Sequence, residues 1–117
     1  MNTVDKNKVK KMLMSLGVDP STLGYTYLTD AITIICNKTD ERPKTTDIYE
    51  SIAKEYKSSS PRVQRCMRHA INGAFSRNNA KLFDMFDGLI RYEDGKLTVN
   101  TFVYTVGEYL LMNESEG

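Results

Sequence analysis

Residues 57–77 read KSSSPRVQRCMRHAINGAFSR. Val63, Met67, Ala70, Ile71 and Ala74 recur along this stretch at three- and four-residue steps, which puts them on one apolar stripe of a helix. Arg62, Arg65, Arg68, His69, Asn72 and Ser76 fall on the opposite side. The serines offer a hydroxyl cap. Pro61 suits a first helical turn because its missing N–H would be unpaired there anyway. The pattern predicts a helix over about 61–77 with a cationic outer face.

Immediately upstream, Ile48, Ile52, Ala53 and Tyr56 share one face of a second helix, over about 46–56. Asp47 with Glu50 three residues later has capping-box spacing, in which each side chain satisfies an orphan backbone donor. Two helices joined by a short turn, the second basic outside, follow the helix-turn-helix plan. In that plan the first helix is a scaffold. The second enters the major groove of duplex DNA with its first turns at the base edges. Arg62, Gln64, Arg65, Arg68 and His69 are the expected base readers. Arg suits guanine O6 and N7, and Gln suits adenine N6 and N7. Ser58, Ser59 and Ser60 at the helix start, with Asn72 and Arg77 further along, are the expected phosphate contacts.

Charge distribution supports this reading better than total charge does. The formal net charge is only +1. Yet no acidic residue lies between Glu55 and Asp84, while Lys57, Arg62, Arg65, Arg68, Arg77 and Lys81 do. A basic segment on a near-neutral chain marks a local electrostatic footprint.

The remaining sequence predicts more helices. Val9, Met12, Leu13 and Leu16 give one over about 5–16, stopped by Gly17. Tyr27, Leu28, Ala31, Ile32 and Ile35 give another over about 26–37, despite the β-branched run Ile32-Thr33-Ile34-Ile35. A short helix is expected over about 80–86. A last one, over about 100–112, would pack Phe102, Val103, Val106, Tyr109 and Leu110. Glu93-Asp94-Gly95 is a turn signal that could join Leu89-Ile90 to Leu97-Thr98 in a small hairpin. The expected fold class is therefore all-α, a bundle of about six helices. With 117 residues and no linker or repeat, one domain spanning 1–117 is expected.

Several function classes find no support. No apolar run is long enough to span a membrane, and the N-terminus has no secretory core, so a cytoplasmic, nucleoid-associated protein is expected. Cys36 and Cys66 lie 30 residues apart with a single His in the whole chain. That excludes a zinc set and leaves two reduced thiols, so neither metal nor cofactor is expected. His69 has no nucleophile and orienting partner for a triad, so no enzyme is expected.

Two stretches also resemble a known family. Gly24-Tyr25-Thr26-Tyr27-Leu28-Thr29-Asp30-Ala31-Ile32 is similar to the Gly-Tyr-x-Tyr-Leu-x-x-Ala-Ile element of the stage zero sporulation protein A family. Arg62-Val63-Gln64-Arg65-Cys66-Met67-Arg68-His69-Ala70-Ile71 resembles that family's recognition helix, Arg-Val-Glu-Arg-Ala-Ile-Arg-His-Ala-Ile. Ile48 to Tyr56 resembles its scaffold helix, and Phe75 to Asn79 its exit from the recognition helix. The likeness runs from about Val9 to Leu110. It implies a DNA-binding effector domain of a sporulation response regulator, here without its phosphoacceptor receiver. It further implies binding to short boxes, tandem or paired, as a homodimer, and contact with an RNA polymerase sigma factor. Gln64 stands where the family has Glu, which accepts from cytosine N4, so the preferred box is expected to differ. The alternative is a protein-interaction module of the same fold that modulates a full-length regulator without binding DNA specifically.

Overall fold

The computed structural model describes residues 4–37, 43–77, 92–93 and 96–116. Among them are five helices and one two-stranded hairpin. The expected helix near 80–86 lies outside the described residues.

Helix α1 is Lys6–Ser15, capped by the Asp5 side chain, which accepts from the Lys8 N–H at 2.9 Å. It ends at Gly17, whose φ of 95° lies in the left-handed region that glycine enters freely. Helix α2 is Leu23–Asn37 and starts three residues before the predicted Thr26. The local reason is a cap. Asp19 accepts from the Ser21 N–H at 2.9 Å, closing a turn, and Thr22 Oγ1 then accepts from the Tyr25 N–H at 3.2 Å. Further along, Thr29 and Thr33 hydroxyls donate to the carbonyls of Tyr25 and Thr29, at 2.8 and 2.7 Å. These bonds satisfy both polar groups inside a helix otherwise rich in β-branched residues.

Helix α3 is Thr45–Glu55, and its start corrects the capping-box expectation. The cap position is Lys44, which makes no side-chain hydrogen bond to the helix. Asp47 sits in the first turn, where its charge favours the positive end of the helix dipole without capping it. At the other end, the Ser58 N–H reaches the Ala53 carbonyl at 2.8 Å and the Lys57 N–H reaches Lys54 at 3.3 Å. That pair of bonds is a Schellman stop, with Lys57 at φ 54° where glycine is customary.

Helix α4 is Ser60–Arg77. Ser59 caps it, its carbonyl accepting from the Val63 N–H at 2.9 Å and its hydroxyl from the Arg62 N–H at 3.4 Å. The helix thus begins one residue ahead of Pro61. Strand β1, Tyr92–Glu93, pairs antiparallel with β2, Lys96–Leu97. Leu97 of the expected hairpin pairs with Tyr92, and Glu93 with Lys96, while the expected Leu89-Ile90 strand lies outside the described residues. Helix α5 is Val99–Glu116, capped by Thr98.

Helix α2 is the axis of the core and touches each of the other four helices. Leu28, Ala31 and Ile32 on it are fully buried against Leu13 and Leu16 of α1, Ile52 of α3, Met67 and Ile71 of α4, and Phe102 and Val106 of α5 in one cluster. Tyr109, expected in the core, is 39% exposed. Polar groups tie the helices at a few points. Tyr49 on α3, itself buried, donates to Asn100 Oδ1 on α5 at 2.6 Å, and Tyr104 of α5 donates to the Pro43 carbonyl.

One further tie involves a buried acid. Asp30 on α2 is 7% exposed. It accepts from the Tyr56 hydroxyl at 2.5 Å and from Lys6 Nζ at 3.2 Å, and the Tyr56 ring stands edge-on to Tyr27 at 5.3 Å. The bond to Asp30, then burial, hold the Tyr56 phenol above its ordinary range. Burial, then Tyr104, raise Tyr49 likewise. A phenol raised in the folded chain contributes stability that is complete below the ionisation of an unfolded tyrosine, near pH 10, and is lost as pH climbs toward the folded value. Stability is therefore expected to fall as pH rises above about 10. Tyr56→Phe should lower the neutral-pH plateau and flatten that alkaline decline in denaturant midpoints. A decline as steep in the variant would remove Tyr56 from the account.

Candidate nucleic-acid interface

Helix α4 presents its two faces as its spacing dictates. Val63, Met67, Ala70, Ile71 and Ala74 are buried. Arg62, Arg65, Arg68, His69 and Ser76 are exposed, and Asn72 is half-buried among them. At about 100° per residue, these six side chains share roughly a third of the helix circumference. Among the described residues of this helix there is no acid, so nothing on it neutralises the three arginines.

Two contacts fix the pose of this face. At its start, the Schellman stop at Lys57 and the Asp30–Tyr56 bond tie the turn 56–59 to α2. Within the helix, α2 lies almost in backbone contact with α4. A Cβ placed on Gly24 would meet the Cys66 carbonyl oxygen at 2.3 Å and Ala70 Cβ at 2.7 Å.

The remaining expected site residues are placed less simply. Gln64 lies at the edge of the exposed face, half-buried, and its Nε2 donates to Ser60 Oγ at 3.1 Å. Ser59 and Ser60 stand at the helix start. Ser58 does not offer itself outward. Its N–H is committed to Ala53, and its hydroxyl is shielded from solvent, with no partner among the described residues. Arg77 is also engaged elsewhere. Its Nε and Nη2 both donate to the Gly17 carbonyl, at 3.2 and 2.6 Å, clamping the last turn of α4 to the end of α1. Ser58 to Ser60 border an open groove of about 540 Å³ whose other wall, on α3, includes Asp47, Glu50 and Lys54. Those carboxylates repel an anion, most strongly deep in the groove and less at its outer rim.

Sequence reasoning missed Gly24, Asp30 and Tyr56 as the parts that hold α4 in place. A signal was available for one of them. Asp30 is the only acid between Asp19 and Asp40, inside an apolar helical run, and a lone acid there calls for a partner. Among the described residues, no group of His, Cys, Asp and Glu is arranged to hold a metal ion, and no helix is long and apolar enough to cross a membrane. Burial, then Glu108, push the Cys36 thiol up to about 11.

A cationic, acid-free helix face held rigidly on an all-helical globule has the build of a DNA-binding domain. Residues 9–110 match the family model of the sporulation initiation factor Spo0A C terminal, and the chain belongs to that family. Its members are the DNA-binding effector domains of response regulators that control transcription in sporulation, not enzymes. The matched span coincides with the likeness read from the sequence, Val9 to Leu110.

Proposed function

We propose that this chain carries a sequence-specific transcriptional regulator domain that reads duplex DNA with a helix-turn-helix made of α3 and α4. The observation that carries the reading is the exposed face of α4. It sets Arg62, Arg65, Arg68 and His69 side by side, free of acids, on a helix anchored along its whole length. With α3 as scaffold, the first turns of α4 enter the major groove. Arg62, Gln64 and Arg65 meet base edges, and Arg68 and His69 follow along the same face. The backbone N–H groups of Ser59 and Ser60, together with Asn72, hold phosphates at the rim. Ser58 serves the architecture instead, its N–H used and its hydroxyl enclosed, whereas Arg77 spends two of its five N–H donors on Gly17 and keeps the rest, on an exposed side chain, for a phosphate. The protein acts in the cytoplasm on the nucleoid, binds tandem or paired boxes as a homodimer, and touches the sigma factor of RNA polymerase. These last points rest on membership of the family.

Selection from a pool of random duplexes tests the reading. The expected result is one recovered box, bound with steep salt dependence because several phosphates are neutralised. Arg65→Ala should then cost about 1–3 kcal/mol on that box and relax preference at one base pair. Recovery of no box, with affinity indifferent to salt, would sink the proposal.

A further inference from the structure

We infer that the Ser60 hydroxyl positions Gln64 and thereby sets the base this protein prefers at one position of its box. The inference rests on the proposed reading of DNA by α4 and deepens it. Ser60 is the first residue of α4, and Gln64 lies one turn further on. Gln64 Nε2 donates to Ser60 Oγ at 3.1 Å, while Gln64 itself is half-buried at the edge of the exposed face.

The chemistry follows from what a primary amide carries. Its nitrogen has two N–H donors and its oxygen accepts. The N–H anti to the carbonyl oxygen, turned back along the helix, is assigned to the bond with Ser60. The other donor and the carbonyl oxygen remain side by side on the opposite edge of the amide. Adenine presents the matching pair in the major groove, an N7 acceptor beside an N6 donor. Cytosine presents only a donor there, which suits a carboxylate. A free Gln side chain spreads over many rotamers and must lose that freedom on binding. The Ser60 bond removes part of that cost beforehand and fixes which edge faces outward. Ser60 is thus a positioning residue acting through Gln64. Its hydroxyl accepts from Gln64 and keeps its own O–H, which can still donate to a phosphate beside the backbone N–H.

The test measures affinity of the whole chain for its selected box and for every single-base-pair variant of that box. Wild type, Gln64→Ala, Ser60→Ala and Ser60→Thr are compared. Gln64→Ala is expected to abolish an adenine preference at one base pair, which identifies it. Ser60→Ala should weaken preference at that same pair by roughly five-fold and leave the other pairs unchanged. Ser60→Thr, which keeps the hydroxyl, should restore it. If Gln64→Ala shifts preference but Ser60→Ala does not, the positioning role is wrong and base reading by Gln64 stands. If neither shifts preference at any pair, both are wrong. Equal weakening by Ser60→Ala on every variant would also overturn the inference, because a backbone or fold effect has no base preference.

Discussion

Gly24→Ala is expected to lower the melting temperature by on the order of 10 °C. The direction is informative because two effects oppose each other. In a helix, Ala is the better residue by about 1 kcal/mol. Propensity alone would therefore raise stability. Against it stands the Cβ position, 2.3 Å from the Cys66 carbonyl oxygen and 2.7 Å from Ala70 Cβ. A backbone oxygen cannot swing aside as a flexible side chain does. Either α2 or α4 must move bodily, which also disturbs Leu28, Ala31, Met67 and Ile71 in the core they share. Overpacking of this kind costs about 1–3 kcal/mol and sometimes more, so sterics win. Thermal unfolding followed by circular dichroism decides it. A variant that melts at or above the wild-type temperature would mean that the α2–α4 contact is not tight. DNA affinity should fall with the melting temperature, because the same contact sets the pose of α4.

The second large effect is expected at Asp30. Asp30→Ala removes the acceptor of the Tyr56 hydroxyl and the partner of Lys6. The two losses are unequal. Lys6 is 57% exposed on its side chain, so its pairing is screened by water and contributes little. The bond from Tyr56 is short, 2.5 Å, and ends on a buried carboxylate. A hydrogen bond to a charged group contributes about 1.5–3 kcal/mol, and Asp30→Ala is expected to lose that much. Lys6→Ala should cost well under half as much in the same denaturation experiment. A cycle of Asp30→Ala, Tyr56→Phe and the double variant should show strong coupling between the two positions. Additive losses would mean that Asp30 acts through something other than Tyr56.

How much of this was legible beforehand depended on range. Helix α4 could be read because its five core residues form one unbroken stripe and its caps are local. The apolar run from Tyr27 onward points to a start near Thr26, whereas Thr22 caps the helix ahead of Leu23. The same locality misled at Asp47, where a sequence with capping-box spacing sits inside the helix rather than before it. Contacts across the fold left no periodic trace. Arg77 and Gly17 are 60 residues apart, and Tyr56 and Asp30 are 26 apart. Nothing in spacing says that these residues meet. So the cationic face was visible in the sequence, while the parts that aim it were not. Gln64 and Ser60 lie between these extremes. Their four-residue separation permits contact on any helix, but only the placement of Gln64 at the buried edge makes that contact the favoured one.

Lys57 gives the turn before α4 a different meaning. A side chain held at positive φ costs roughly 1–2 kcal/mol relative to the ordinary backbone region, and glycine would escape most of that. The chain instead keeps a cation there, at the entrance to its acid-free segment. Ruggedness and charge thus pull in opposite directions at this one position. An engineer seeking a hardier domain would choose glycine at 57 and forfeit a positive charge beside the basic helix α4. One seeking tighter electrostatic capture would leave the strained lysine where it is.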